Sequence, residues 1–210
     1  RGDGTPTDGF YDVRYRGQIW LDRMGTRLAA VNELPMEEYL YGVVPREMPA
    51  GWSSEALKAQ AIAARSYAYA EVQTPGNVLT CTTWDQVYKG HSRISSGELV
   101  MHEDSRSNAA IDATAGRYII SGGQVATGYF FSQSGGHTAN NEDVWQSGEP
   151  ISYLRGVPDP YEYLADPPYS PWPADKEKTY DGLTMANMLR GSAGVPPSPT
   201  HVTGVVVDRA

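Results

Sequence analysis

An α+β fold is predicted by three observations on this chain of 210 residues. A long segment, Ser54 to Val72, is dense in alanine and other strong helix formers. Two further segments, around residues 15–34 and 117–133, set β-rich apolar runs on either side of short glycine turns, the signal of antiparallel hairpins. The length suits one to one and a half domains at roughly 100–200 residues each, enough to bury a core and still form a cleft.

The elements follow in order. Residues 1–11 are small and polar at their start and read as a frayed linker. YRGQIWLD and RLAAVNEL are two strands about a turn at Met24-Gly25, with Ile19, Leu21, Leu28 and Val31 as apolar points. Pro35 suits the first turn of a helix, MEEYLYGVV continues it, and Pro45 is expected to stop it. In the Ser54–Val72 helix, Ser53 or Ser54 is the N-cap and Thr74-Pro75-Gly76 the terminator. Its Lys58, Ile62 and Arg65 fall on one stripe, because residues seven apart return to nearly the same face. Residues 74–107 read as irregular, and Asn108–Thr114 as a short helix. RYIIS and QVATGYFFSQ flank Gly122-Gly123 as a hairpin, followed by the loop SGGHTANNEDVW. A proline-rich coil from Pro158 to Pro173, a short helix near Thr184–Arg190 and a strand VTGVVVD close the chain. The start at Arg1 without methionine reads as a trimmed form, and the strand ending at Ala210 without a closing turn as a clipped end.

Composition removes several function classes. Seventeen Lys+Arg against 25 Asp+Glu give a net charge of −8, which disfavours nucleic acid as a partner. No apolar run approaches the roughly 18 residues that span a bilayer. The single Cys81 forbids an intramolecular disulfide and a Cys-rich zinc site, and the four histidines lack ligand spacing, so no metal or cofactor is expected. There is no P-loop, GxGxxG, HExxH, GxSxG or EF-hand loop. Fourteen Tyr and five Trp against three Phe suit a wet cleft that stacks on sugars, or equally a core with polar edges.

Three blocks together resemble one family. They are VNELPMEEYLYGVVPREMPAGWSSEALKAQAIAARSYA (31–68), WDQVYKG (84–90) and TAGRYIISGGQVATGYFFSQSGGHTANNEDVW (114–145). Their order, with the later YLRGVPDPY, is similar to the SpoIID/LytB domain of stage II sporulation protein D and the amidase enhancers, over roughly residues 12–165. The resemblance implies a lytic transglycosylase that cuts peptidoglycan between MurNAc and GlcNAc, with the glutamate of the EMP segment, Glu47, as catalytic acid. The chemistry is consistent, since glycoside cleavage needs a proton at the leaving oxygen and a carboxylic acid in apolar surroundings can supply it. Val43, Val44, Pro45, Met48, Pro49 and Trp52 are the apolar neighbours in sequence. The alternative for a glutamate beside Arg46 is a surface salt bridge. A hydrolase needs a second carboxylate about 5 Å away, or further for inversion. A transglycosylase does not, because the sugar's own 6-hydroxyl attacks; Glu37, Glu38, Asp85, Glu142 and Asp143 are formal partners that no spacing singles out.

The same resemblance implies substrate-binding positions. Lys58, Gln60 and Arg65 match the ALKAQAxAAR helix, Gln86 and Tyr88 the DxQxY-like block, and Tyr129, Ser132, Ser134, Gly135, Gly136 and Thr138 the YxxSxSGGxT strand and loop. Their alternatives are a solvated helix face and a turn that merely needs glycine. One departure is Thr138-Ala139-Asn140 where the family often has Thr-Glu-Asn.

The expected architecture is therefore curved antiparallel strands around the central Ala-rich helix. Residues 12–210 form a single domain of two lobes, with a cleft where the EMP turn, the helix and the SGG loop converge. The expected function is glycan-strand cleavage outside the cytoplasmic membrane. A non-catalytic, glycan-binding enhancer of a cell-wall N-acetylmuramoyl-L-alanine amidase is the other reading.

Overall fold

A computed structural model describes residues 12–134, 136–145 and 148–161. The linker expected at 1–11, the coil beyond 161, the helix near Thr184–Arg190 and the last strand lie outside the described residues. The chain divides into two compact units, Arg1–Ser132 and Gln133–Ala210. Among the described residues it is a mixed α/β protein with four helices and small antiparallel sheets.

The core of the first unit is helical. Helices α1 (Met36–Glu47), α2 (Ser54–Val72) and α3 (Ser105–Asp112) pack on one another around Leu40, Val43, Val44, Leu57, Ala61, Ala64, Ala110 and Ile111. In α1 the apolar residues Met36, Leu40, Val43 and Val44 recur at helical spacing, so one face is buried. Ala61, Ala64 and Ala68 give α2 a shallow face against which its neighbours sit close. Fully burying Leu40 and Leu57 contributes about 1.5–3 kcal/mol each. The bounds of α2 are those expected, with the Ser53 hydroxyl accepting from the Glu55 N–H at 3.3 Å. What surrounds this helix in the core is α1 and α3.

Pro45 does not stop α1. The helix runs through it to Glu47, and the Met48 N–H closes the last turn on the Val44 carbonyl at 3.0 Å. The Pro45 ring removes one N–H from the helix, the donor the Tyr41 carbonyl would have had, yet the last turn still closes after it. The consequence is that Glu47 sits on a helical turn, where the sequence suggests a loop.

The strands form three small sheets. Strands β2 (Gln18–Met24) and β3 (Arg27–Glu33) are the expected hairpin, turning at Gly25 with φ +62°. Strands β4 (Ser92–Ser95) and β5 (Glu98–Met101) form a second hairpin inside the stretch read as irregular, and β1 (Asp12–Arg14) pairs with β4 to give the order β1-β4-β5. Their turn is Ser96-Gly97 with φ of 52° and 82°, the two positive values of a tight hairpin turn. Helix α3 starts three residues before the expected Asn108, because Asp104 caps it by accepting from the Arg106 N–H at 2.8 Å. Strands β6 (Ile120–Ser121) and β7 (Gln124–Val125) turn at Gly122-Gly123 as expected but are only two residues each.

In the second unit, α4 (Asn141–Val144) is a single turn. The loop before it is tied to the segment 151–159. Thr138 and Val157 exchange hydrogen bonds, the Asp159 N–H donates to the Gly136 carbonyl at 2.9 Å, and Arg155 forks onto the Glu142 carboxylate.

Candidate functional site

Glu47 occupies the last turn of α1, half-buried, with its carboxylate aimed at the segment Trp84–Gly90. Its Oε1 accepts the Val87 N–H at 2.8 Å, while Oε2 has no hydrogen-bond partner among the described residues. Arg46 does not pair with it, and Glu47 takes part in no ion pair among the described residues, so the salt-bridge alternative fails there.

The segment that faces Glu47 is held by its flanking side chains. Gln86 is fully buried between α1 and α2; its Oε1 accepts from the Tyr39 hydroxyl at 3.1 Å and its Nε2 donates to the Ala64 carbonyl at 3.1 Å. A glutamine spans two helices here because it carries both a donor and an acceptor. Asp85 accepts the Tyr67 hydroxyl at 2.9 Å on Oδ1, and the Thr80 N–H and hydroxyl at 2.7 and 2.8 Å on Oδ2. Tyr88 donates to the Asn32 side chain at 2.9 Å and packs its ring against Tyr39 and Tyr15 at 5.3 and 6.2 Å. Gly42 makes this docking fit, since a Cβ there would meet the Tyr88 ring at 2.6 Å.

These contacts set the electrostatics. Burial pushes the Tyr39 hydroxyl well above its usual value, and the negative charges of Asp85 and Glu47 add to the shift. Burial also raises Tyr67, helped by its bond to Asp85, and raises Tyr88 to about 12. Burial works against the Asp85 charge, but the bonds from Thr80 and Tyr67 outweigh it and hold the carboxyl below its ordinary value. Asp85 is thus an anchored acceptor with both oxygens engaged. Glu37 and Glu38 lie about nine residues up the same helix, roughly 14 Å along its axis at 1.5 Å per residue, beyond the 5–9.5 Å of a glycosidase pair. Glu142 and Asp143 belong to the second unit.

The positions expected to bind substrate fall into distinct environments. Arg65 is fully buried; its guanidinium forks onto Glu37 at 2.6–3.2 Å and donates to the carbonyls of Ile111 and Arg117 at 3.2 Å. It therefore ties α1, α2 and the end of α3 together. Lys58 is partly exposed and pairs with Glu55 at 2.7 Å. Gln60 is 8% exposed, one turn before the Ala64 carbonyl that holds Gln86, and its Nε2 has no hydrogen-bond partner among the described residues. Tyr129 is exposed and meets the Tyr67 ring edge-on at 5.8 Å, and Ser132 is exposed at the end of the first unit.

In the second unit, the Ser134 hydroxyl donates to Asp159 at 3.0 Å and accepts the Gly136 N–H at 3.0 Å, and the Thr138 hydroxyl accepts the Val157 N–H at 2.8 Å. Gly135 lies outside the described residues. Glu47, Gln86 and Tyr88 are thus gathered around one segment, with Gln60 one turn along α2, while Arg65 is drawn into the interior. Tyr39, Tyr67 and Thr80 complete the arrangement and carry no sequence signal of their own. Among the described residues no three His, Cys, Asp or Glu side chains gather as a metal site. A cavity of about 670 Å³ is lined by Tyr39, Tyr88, Ile19, Val31, Leu34 and Val72 among others; Glu47 does not line it.

The comparisons bear on the same segments. Residues 24–120, which include Glu47 and the segment facing it, match the family model described as stage II sporulation protein, SpoIID. A protein of Brachyspira hyodysenteriae is 35% identical over 159 residues, 74% of this chain and 39% of its own length. Stage II sporulation protein D of Bacillus subtilis is 35% identical over 142 residues, 63% of this chain and 41% of its own. The Bacillus subtilis amidase enhancer is 40% identical over 111 residues, 53% of this chain and 14% of its own. The chain spans less than half the length of each of these relatives. Over α1, α2 and the segment docked on Glu47 the chain is thus similar to the SpoIID family of stage II sporulation proteins, and to relatives named stage II sporulation protein D and amidase enhancer.

Proposed function

We propose that the chain cleaves the glycan strands of bacterial peptidoglycan outside the cytoplasmic membrane, as a lytic transglycosylase with Glu47 as its acid and base. The observation that carries this reading is the half-engaged carboxylate. One oxygen of Glu47 is fixed by the Val87 N–H and the other is spent on nothing among the described residues, which suits a group that must exchange a proton at a fixed position. In its acid form Glu47 gives its proton to the GlcNAc oxygen as the bond to the MurNAc anomeric carbon breaks. The carboxylate then takes the proton of the MurNAc 6-hydroxyl as that oxygen closes on the anomeric carbon, forming the 1,6-anhydro ring. No water enters, and tethering of the nucleophile supplies the positional advantage. Asp85, with both oxygens engaged, fits a supporting role better than that of a second catalytic carboxylate.

Gln60 and the exposed Tyr129 are the further residues we assign to glycan binding. Gln86 and Tyr88 position the segment that carries the Val87 N–H.

The similarity to a protein named amidase enhancer favours a second reading, in which the domain binds glycan or a cell-wall amidase without cutting. Among the described residues no helix is long and apolar enough to cross a membrane. The test uses the purified chain alone on isolated peptidoglycan, with products read by mass spectrometry. Release of anhydro-ended glycans supports the transglycosylase. No release, combined with faster turnover by an added amidase, replaces it with the enhancer.

A further inference from the structure

A cluster of positive side chains stands beside Glu47 in this acidic protein. Arg46, exposed on the last turn of α1, precedes Glu47 directly, and Lys89, also exposed, lies two residues beyond the Val87 N–H that holds the Glu47 carboxylate. Behind them are Arg93 on β4 and the buried His102, whose Nδ1 lies 2.6 Å from the Lys89 carbonyl and therefore donates to it. The chain path makes this a single locus: Glu47 holds Val87, Lys89 holds His102, and the His102 N–H donates to the His91 carbonyl at 2.9 Å.

The carboxylates of Glu103 and Glu47 are engaged elsewhere than with Arg46 and Lys89. Glu103, next to His102, is held by the Arg16 guanidinium at 2.7 and 3.0 Å, and Glu47 is turned to a backbone N–H. Arg46 and Lys89 form no ion pair or side-chain hydrogen bond among the described residues. Two cations such as Arg46 and Lys89, left without an ion-pair partner, are relieved by an arriving anion.

We propose that Arg46 and Lys89, backed by Arg93 and His102, form a subsite for an oxyanion, a carboxylate or phosphate carried by the wall polymer. The physical state of the cluster agrees. Burial, and then the charge of Arg93, hold the Arg46 guanidinium below its ordinary value; burial chiefly, and then the charges of Arg46, Arg93 and Lys89, keep His102 below its own. A guanidinium fork and an ammonium are complementary to a two- or three-oxygen anion. Placed beside Glu47, they attract one acidic group of a strand toward the acid in a molecule whose net charge of −8 otherwise repels an anionic polymer.

This inference rests on the peptidoglycan reading and is tested by binding, which does not depend on turnover. The full chain is mixed with insoluble peptidoglycan sacculi and its retention measured at low and at about 0.3 M salt. Wild type is expected to be retained and to weaken with salt, as exposed charges are screened. Arg46→Gln/Lys89→Gln is expected to bind about tenfold more weakly and to lose most of the salt dependence, while Arg46→Lys/Lys89→Arg stays within about twofold of wild type. Sacculi freed of phosphodiester-linked polymers with hydrofluoric acid, and sacculi whose carboxylates are capped as amides, tell which oxyanion is held. Wild type falls to the level of the double glutamine variant in whichever arm removes the anion. Equal retention of wild type and the double glutamine variant on untreated sacculi overturns the subsite alone, as does a wild-type advantage that survives both treatments together. Failure of wild type to bind any sacculi overturns the peptidoglycan reading and the subsite with it.

Discussion

One helix carries glutamates at both of its ends, and the molecule treats Glu37 and Glu47 in opposite ways. Glu37, in the first turn of α1, is gripped by the buried Arg65 through both carboxylate oxygens. Glu47, in the last turn, accepts one backbone N–H and forms no ion pair among the described residues. The same side chain is a structural tie where its charge is answered and a group poised for chemistry where it is not. A buried guanidinium is held by its whole set of partners, so removing one side leaves the others desolvated and unpaired. A carboxylate with a spare oxygen can change its protonation without tearing anything apart.

Substitution at the Arg65 end is expected to have the largest effect. Arg65→Ala empties a fully buried site and leaves Glu37 and the carbonyls of Ile111 and Arg117 without their donor, so it should cost about 3–5 kcal/mol of unfolding free energy, read by urea denaturation. A loss below 1 kcal/mol would dissolve the contrast. At the other end, Glu47→Gln should remove about 10²-fold or more of the cleavage rate while shifting stability by less than about 1 kcal/mol, because the amide oxygen still accepts the Val87 N–H. Full activity in that variant removes Glu47 from the mechanism.

These two ends were unequally legible in the amino-acid sequence. Ser54–Val72 was readable as a helix because every local signal agrees, from the Ser53 cap to the alanines of the buried face. The Lys58–Ile62–Arg65 stripe was geometrically sound yet joins unlike environments, since the carbonyls that receive Arg65 lie 46 and 52 residues further along the chain and reach only that turn of α2. Spacing along one helix carries no information about which turn another element covers. The turn that presents Glu47 was hidden by Pro45, a residue that usually breaks a helix interior and is carried inside α1 here. The Ser96-Gly97 turn had the glycine of a hairpin, but its flanking strands are four residues each, and β5 is exposed throughout, so no alternation marked them. The family blocks pointed to Glu47 and Tyr88, but Tyr39 and Tyr67, which also support the facing segment, lie in the first block without any feature that singles them out.

Those tyrosines provide a test confined to the Glu47 end. Tyr39, Tyr67 and Tyr88 have hydroxyls raised above the ordinary value of 10. A raised group contributes stability that is fully present below its unfolded value and is lost as pH rises through its folded one. The midpoint of thermal unfolding should therefore fall above about pH 10, through the region near 12 where Tyr88 titrates, and Tyr39→Phe should make that fall shallower. An identical alkaline limb in Tyr39→Phe would take Tyr39 out of the account. The smallest effect belongs to Lys58→Ala. Its pair with the exposed Glu55 is a surface contact, and its loss should change stability by no more than about 0.5 kcal/mol in a thermal melt.

The claim that Glu47 works without a second catalytic carboxylate is tested most directly by running the reaction in ¹⁸O-labelled water and weighing the glycan ends. Ring closure by the sugar's own hydroxyl leaves 1,6-anhydro ends that carry no label, which is the expected result. Labelled reducing ends would mean that water is the nucleophile, and would contradict the assignment of both steps to Glu47 alone.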